Sequence, residues 1–466
     1  MLYGALRAVS GVALHWYYGD VLVQGREHVP ARGPLLIVAN HPNALVDAML
    51  VATTVPRRVL ITAKATLFEH PLLAPLLRAV GVVPLRRAGD ERRAAAAAAS
   101  ARTTASGPAR ERNDGTFRLV IDALRRDGVV MVFPEGISHD APALAPIKTG
   151  AARMALDAHA AGVCGVHILP LGLVYERKEQ LRSRILVRVG VPLDVDAWWA
   201  AHGETDIATL TSEIDRRLRA VTLNFASADR AERAVRVARA LAATIHEPPA
   251  LGQPRTLVVE AELAARVERA TSALPGAPPE LAAQADALVA RFTLLEAQLA
   301  ARGASVDHAG ISASTSGGVR FIVREGSLAL VATPIALLGR LTHWLPLAIA
   351  RGIALRSIAD DPSRDQPAMR TIVLGLGALL LWYAVTVIVV GHWFGPVAAL
   401  AAVILLLASA RVAVLFGDRL RRARERARTY LAFRSDPDFQ AIILAEMQAL
   451  LDAAQALETA LEEEPA

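Results

Sequence analysis

Over roughly residues 20–225, short β-branched and aliphatic runs alternate with stretches of helical period. Val21-Leu22-Val23, Leu35 to Ala39, Val59 to Thr62, Val82 to Leu85, Val129 to Phe133, His167 to Leu173 and Ile185 to Val189 read as strands. Helical patterns lie between most of them. Alternation of this kind predicts an α/β fold with a largely parallel central sheet flanked by helices. Ligand sites in such sheets collect beyond the carboxyl ends of the strands.

The pattern changes further along. Ala88 to Arg112 is rich in Ala, Arg, Ser and Thr, and its composition suits a solvated helix or a loop equally. Residues 226–325 are Ala-, Arg- and Glu-rich with helical period, and predict a helical insertion or linker region. Residues 326–418 form a membrane region. Within it Thr371 to Gly391 carries no charge, His392 to Pro396 is a short aromatic turn, and Val397 to Ala410 is again uncharged. Two transmembrane helices at about 371–391 and 396–416 predict a hairpin. Leu328 to Ala350, interrupted by Pro334, Arg340 and Pro346, reads as an interfacial or re-entrant segment rather than a third span. Residues 419–466 are a basic juxtamembrane segment followed by a C-terminal amphipathic helix. Residues 1–225 make one α/β domain, led by an amphipathic N-terminal helix suited to a membrane surface.

Arginines flank the hairpin on both sides, and its turn carries no Lys or Arg. The positive-inside rule then puts both flanks, and the α/β domain, in the cytoplasm. The expected location is the cytoplasmic (inner) membrane of a bacterial cell.

Composition sharpens this. Of 466 residues 53% are hydrophobic, and the net charge is +6. In so apolar a chain the basic excess points to anionic lipid or phosphate rather than nucleic acid. Cys164 is the sole cysteine, which rules out an intrachain disulfide and a Cys-based metal site. The only lysines are Lys64, Lys148 and Lys178, so their placement is informative.

The candidate chemistry starts at Asn40-His41-Pro42-Asn43-Ala44-Leu45-Val46-Asp47, directly after an apolar strand. A histidine at a strand's mouth, with a carboxylate in the next helix, makes a compact general base. An isolated pair of this kind is more often a capped helix start with Pro42 in the first turn. Phe133-Pro134-Glu135-Gly136, at the end of a later strand, tips the balance. Its bland reading is a tight turn; its functional reading is a carboxylate, Glu135, offered to a substrate hydroxyl. Lys64, the arginines after Val80 to Leu85, and Lys148 at the start of a helix containing Arg153 are candidate phosphate contacts.

Taken together, the chain resembles the phospholipid/glycerol acyltransferase family, which includes glycerol-3-phosphate and 1-acylglycerol-3-phosphate acyltransferases. Four motifs match in order: Asn-His-Pro…Asp at 40–47, Gly81 to Arg87, Phe133 to Gly136, and Ile168 to Leu171. Lys64, Leu67, Phe68 and Pro71 match a further family element. The resemblance covers about residues 20–225 and makes residues 1–225 an acyltransferase domain. There are two departures. Five residues, not the usual four, separate His41 from Asp47. Ser138 stands where the family carries a phosphate-binding arginine, leaving Arg87, Lys148, His139 and Arg153 as candidates for that contact.

The resemblance implies a membrane acyltransferase without a cofactor. Acyl-CoA or acyl carrier protein is the co-substrate, and glycerol-3-phosphate or a lysophospholipid is the acceptor. His41 and Asp47 are the expected catalytic residues. Glu135, Gly136, Lys64, Arg87, Lys148, His139 and Arg153 are the expected substrate contacts. A thioesterase-like hydrolase on the same site and a non-catalytic membrane lipid-binding protein are the competing readings.

Overall fold

The computed structural model describes residues 2–64, 68, 74, 81–85, 109–203, 206–245, 257–311, 313–358 and 367–463. Arg87 and most of Ala88 to Arg112 lie outside them. The chain divides into two units, one of residues 1–224 with 361–369, the other of residues 225–360 with 370–466.

The first unit is built on an eight-stranded sheet. Its strands are β1 (Asp20–Gln24), β2 (Leu35–Ala39), β3 (Val59–Lys64), β4 (Val83–Leu85), β5 (Val129–Val132), β6 (His167–Tyr175), β7 (Arg184–Val189) and β8 (Leu193–Asp194). They run in the order β1-β7-β6-β2-β5-β3-β4, with β8 beside β6. The β1/β7, β2/β6, β2/β5, β3/β5 and β3/β4 pairs are parallel. Among the described residues, the β6/β7 and β6/β8 pairs are the antiparallel ones. All five residues of β2 are buried, as its unbroken apolar run requires of a strand covered on both faces.

Helices pack around this sheet: α1 (Leu2–Tyr17), α2 (Ala44–Thr54), α3 (Ala109–Arg125), α4 (Gly150–Ala160), α5 (Val195–His202) and α6 (Ile207–Val221). Leu36, Val38, Val130, Val132 and Ile168 meet Val120 and Leu124 of α3, Met154 of α4 and Ile214 of α6 in one buried core. Apolar residues three and four apart on each helix give it the face that packs. Since β2 and β5 are parallel neighbours, their carboxyl ends, Ala39 and Val132, open at the same edge.

The second unit is helical: α7 (Ala228–Ile245), α8 (Leu257–Ala273), α9 (Pro279–Ala301), α10 (Thr315–Ile358), α11 (Pro367–Ser435) and α12 (Pro437–Glu463). Phe292, Leu295 and Leu299 of α9 share a core with Phe433 of α11 and with Ile443, Met447 and Leu450 of α12. Leu288 packs against the same core, so Leu288, Leu295 and Leu299 lie on the packing face of α9.

The structure revises one element. Leu328 to Ala350 is not broken into a re-entrant segment but lies inside α10, which runs through Pro334 and Pro346. Each proline removes one helical hydrogen bond. In apolar surroundings no water can take the remaining backbone groups, so helix persists on both sides. Thr315–Ala354 and Arg370–Ser435 are both long and apolar enough to cross a membrane. Within α11 only Gly395 leaves helical geometry (φ 87°), in the turn read at His392 to Pro396. Gly339 of α10 lies so close to Ser409 that a Cβ there would meet the Ser409 carbonyl oxygen at 2.2 Å. His343 Nε2 is 2.9 Å from Tyr383 Oη nearby.

Candidate active site

The carboxyl end of β2 delivers Asn40 and His41. Asn40 is tied across to β6, donating from Nδ2 to the Leu173 carbonyl at 3.0 Å and accepting from the Leu173 N–H at 2.7 Å. It acts as one extra rung between two strands that are separating. The backbone then turns through Pro42 and Asn43 into α2, whose first residue, Ala44, has φ +44°. A non-glycine residue in the left-handed region carries strain of about 1 kcal/mol or more. The Ala44 N–H donates to Ser138 Oγ at 3.1 Å, one of the contacts that hold this turn.

This strained turn answers the spacing problem. The additional residue between His41 and Asp47 is absorbed ahead of α2, and His41 Nδ1 lies 2.9 Å from Asp47 Oδ2. Both side chains are buried or nearly so, Asp47 at 0% and His41 at 9% exposure. Asp47 Oδ2 also accepts from the Asn43 N–H at 2.7 Å, and its Oδ1 accepts from the Tyr175 hydroxyl at 2.5 Å. Three donors around two oxygens form a carboxylate's environment. With Nδ1–H donated to that carboxylate, the His41 ring keeps its Nε2 lone pair for a proton. The ring lies flat on Phe133, centroids 3.7 Å apart and 11° from parallel. Phe133 opens the second motif, so the two motifs meet face to face.

Glu135 is 3% exposed. Its Oε1 accepts from the His41 backbone N–H at 2.9 Å. Its Oε2 accepts from the Ala145 N–H at 2.9 Å and pairs with His139 Nε2. Both oxygens are engaged within the protein, and Glu135 ties down the backbone that carries the histidine. His139 is engaged as well: its Nδ1 accepts from the Ala141 N–H at 3.1 Å.

Gly136 has φ +72° and donates its N–H to the Phe133 carbonyl at 3.0 Å. A Cβ on it would fall 2.3 Å from Lys148 Nζ, so any larger residue would displace that ammonium. Lys148 is exposed and its backbone N–H bonds to the Pro134 carbonyl at 2.8 Å. Lys148 thus stands beside the second motif as a cation open to solvent. Arg153 lies on α4, its Nε buried and without a hydrogen-bond partner among the described residues. Lys64 ends β3, its Cα paired with Leu85 of β4, on the edge side of β5.

Sequence reasoning missed several contributors. Lys178, in the β6–β7 connection, donates to the Pro42 carbonyl at 2.7 Å and pairs with Asp140 at 2.6 Å. Its only signal was lysine scarcity. Tyr18, which follows α1, is fully buried. Its hydroxyl accepts from Asn43 Nδ2 at 2.8 Å and donates to the Lys178 carbonyl at 2.9 Å. Tyr175 was findable as the last residue of β6, a parallel neighbour of β2, whose carboxyl end must lie at the same edge.

The acyltransferase family model matches residues 20–174, from β1 to the penultimate residue of β6. Residues 20–174 are an acyltransferase-family domain. That acyltransferase domain is 47% identical over 85 residues to glycerol-3-phosphate O-acyltransferase 2 of Saccharomyces cerevisiae, covering 18% of this chain and 11% of the yeast protein. Glycerol-3-phosphate O-acyltransferase 1 of the same yeast is 32% identical over 130 residues, 26% of this chain and 17% of that one. The chain thus spans well under a fifth of the length of either yeast relative. Yeast relatives lend no support to the expected bacterial setting. Among solved structures, the 1-acyl-sn-glycerophosphate acyltransferase of Thermotoga maritima aligns with a TM-score of 0.34 and 19% identity, over 47% of this chain and 78% of that one. Among the described residues no three His, Cys, Asp or Glu side chains converge as a metal site.

Proposed function

We propose that this protein is a membrane O-acyltransferase that moves a fatty acyl group from a thioester, acyl-CoA or acyl carrier protein, to a hydroxyl of glycerol-3-phosphate or 1-acylglycerol-3-phosphate. The observation that carries the proposal is the His41–Asp47 contact at the carboxyl edge of a mostly parallel sheet inside an acyltransferase-family domain.

His41 Nε2 takes the proton from the acceptor hydroxyl as its oxygen attacks the thioester carbonyl. Asp47 holds the ring and stabilises the imidazolium that forms. The tetrahedral intermediate then collapses, the carbon–sulfur bond breaks, and the imidazolium returns its proton to the leaving thiolate. One ester forms and one thioester is lost, with no protein nucleophile. Lys148, beside Gly136, supplies positive charge for the acceptor phosphate or the developing oxyanion. The acyl chains of the donor and of 1-acylglycerol-3-phosphate collect at a bilayer, where α10 and α11 would hold the enzyme. The arginines flanking the uncharged stretch of α11 favour a cytoplasmic orientation.

The test is an acyl-transfer assay on lipid-reconstituted protein, with glycerol-3-phosphate and 1-acylglycerol-3-phosphate offered separately against a panel of thioesters. Ester formation that requires an acceptor and disappears in His41→Ala supports the reading. Thioester hydrolysis at equal rate with and without acceptor would replace it with a hydrolase.

A further inference from the structure

Asp47 is buried, and the two oxygens of its carboxylate face different partners. Oδ2 serves the His41 ring and the Asn43 backbone, while Oδ1 receives the Tyr175 hydroxyl at 2.5 Å. Tyr175 is the last residue of β6, and β6 is also the strand to which Asn40 is tied. One strand therefore sets both the path of the backbone into His41 and the far side of its carboxylate partner.

We propose that Tyr175 is a positioning residue that sets the basicity of His41 by sharing the charge of Asp47. This rests on the acyltransferase reading only in taking His41 as the base. A hydroxyl donating to Oδ1 draws negative charge away from Oδ2, the atom that faces the imidazole. The imidazolium is then stabilised less than it would be by an unshared carboxylate, and the neutral ring that can accept a proton is favoured. The same hydrogen bond fixes the carboxylate plane, and with it the direction in which Nε2 points.

The surroundings suit the role. Burial first, and then the Asp47 charge, push the Tyr175 phenol well above the usual phenol range, so it stays a donor at any working pH. Tyr18 packs against it, ring centroids 5.8 Å apart, and reaches Asn43 from the other side. The other titratable groups around the turn are Tyr17, Glu135 with His139, Glu179, and Lys178 with Asp140. Among the described residues, His41 and Tyr175 are the side chains that bond Asp47, joined by the Asn43 backbone N–H.

The experiment uses the full chain in lipid nanodiscs and reads two quantities. One is the pH at which the His41 ring titrates, followed by NMR of labelled histidine and assigned by the signal lost in His41→Ala. The other is the acid limb of kcat/KM for acyl transfer. Tyr175→Phe is expected to raise both by about half a pH unit or more and to lower kcat about tenfold, as for loss of one hydrogen bond to a charged group. Tyr175→3-fluorotyrosine, a stronger donor of nearly the same shape, is expected to move both to lower pH, and keeps the test alive if the phenylalanine variant does not fold. A purely structural hydroxyl would not produce opposite shifts. An unchanged His41 titration across the variants overturns the proposal whatever the assay shows. A shifted titration without acyl transfer in any variant supports the tuning role and sinks the acyltransferase reading instead.

Discussion

His41 Nδ1 and Asp47 Oδ2 are 2.9 Å apart although five residues lie between them. The contact exists because Pro42 and Asn43 turn tightly and Ala44 enters the left-handed region before α2 begins. The carboxylate then faces back along the first helical turn toward the strand end.

Asp47→Asn is expected to lower kcat by roughly 10²-fold or more, because the amide can present its NH₂ to Nδ1 and hold the ring in the wrong tautomer. Steady-state assays at saturating thioester check it. Full turnover in Asp47→Asn would mean that the contact is structural.

Glu135→Ala separates two roles. A substrate-binding carboxylate would raise KM for the acceptor when removed. A backbone anchor would instead leave the buried His41 N–H without a partner, costing about 1–3 kcal/mol, and free the half-buried Ala145 N–H at less cost. The expected result is a lower thermal midpoint and a fall in kcat larger than any change in acceptor KM.

Ala44→Gly should relieve backbone strain. Glycine accepts φ +44° without the Cβ clash, so the variant is expected to gain about 1 kcal/mol at this turn while keeping its activity. Ala44→Val should do the reverse. Denaturation midpoints of the two variants, compared with wild type, decide the matter.

Gly339→Leu tests the helical unit. Any Cβ at this position would collide with the Ser409 backbone, so α10 and α11 must separate. Overpacking of this kind costs roughly 1–3 kcal/mol. A lower melting point in detergent is expected, with Gly339→Ala milder in the same direction. Melting unchanged in both variants would show that the two helices do not pack there.

Stability at low pH should depend on Glu213. Its bonds from Arg216, with Arg217 behind them, lower its pKa to about 2. A carboxylate held below its unfolded value contributes stability that is present above that unfolded value and lost as pH falls toward 2. Glu213→Gln should therefore narrow the stability gap to wild type as pH drops from 5 to 2, an effect kept small by the exposure of Arg216.

The central strands were legible because strands buried on both faces are unbroken apolar runs, and Leu35 to Ala39 is one. The break at Gly395 was legible from Gly-Pro between uncharged stretches. The two-residue strand β8 was not, since Leu193-Asp194 has no period to read. The unbroken course of α10 was not either, because prolines that end a helix in water are carried through where apolar surroundings leave the backbone no other partner.

At the site the division follows from range. His41, Asp47, Glu135, Gly136 and Lys148 stand in local motifs, and residue type with spacing was enough to single them out. Which of them face a substrate and which face one another was decided only by the fold. Glu135 is 94 residues from His41 in the chain yet bonds its backbone. Tyr175 is 128 residues from Asp47 yet bonds its carboxylate. The sequence by itself determined the alternating α/β pattern, the acyltransferase motifs and the apolar helices. The tertiary structure decided how five residues close into a contact, which carboxylate bonds the His41 backbone, and which tyrosine bonds Asp47. Strand order makes distant strand ends neighbours, and hydrogen bonds between such ends leave no mark in local sequence.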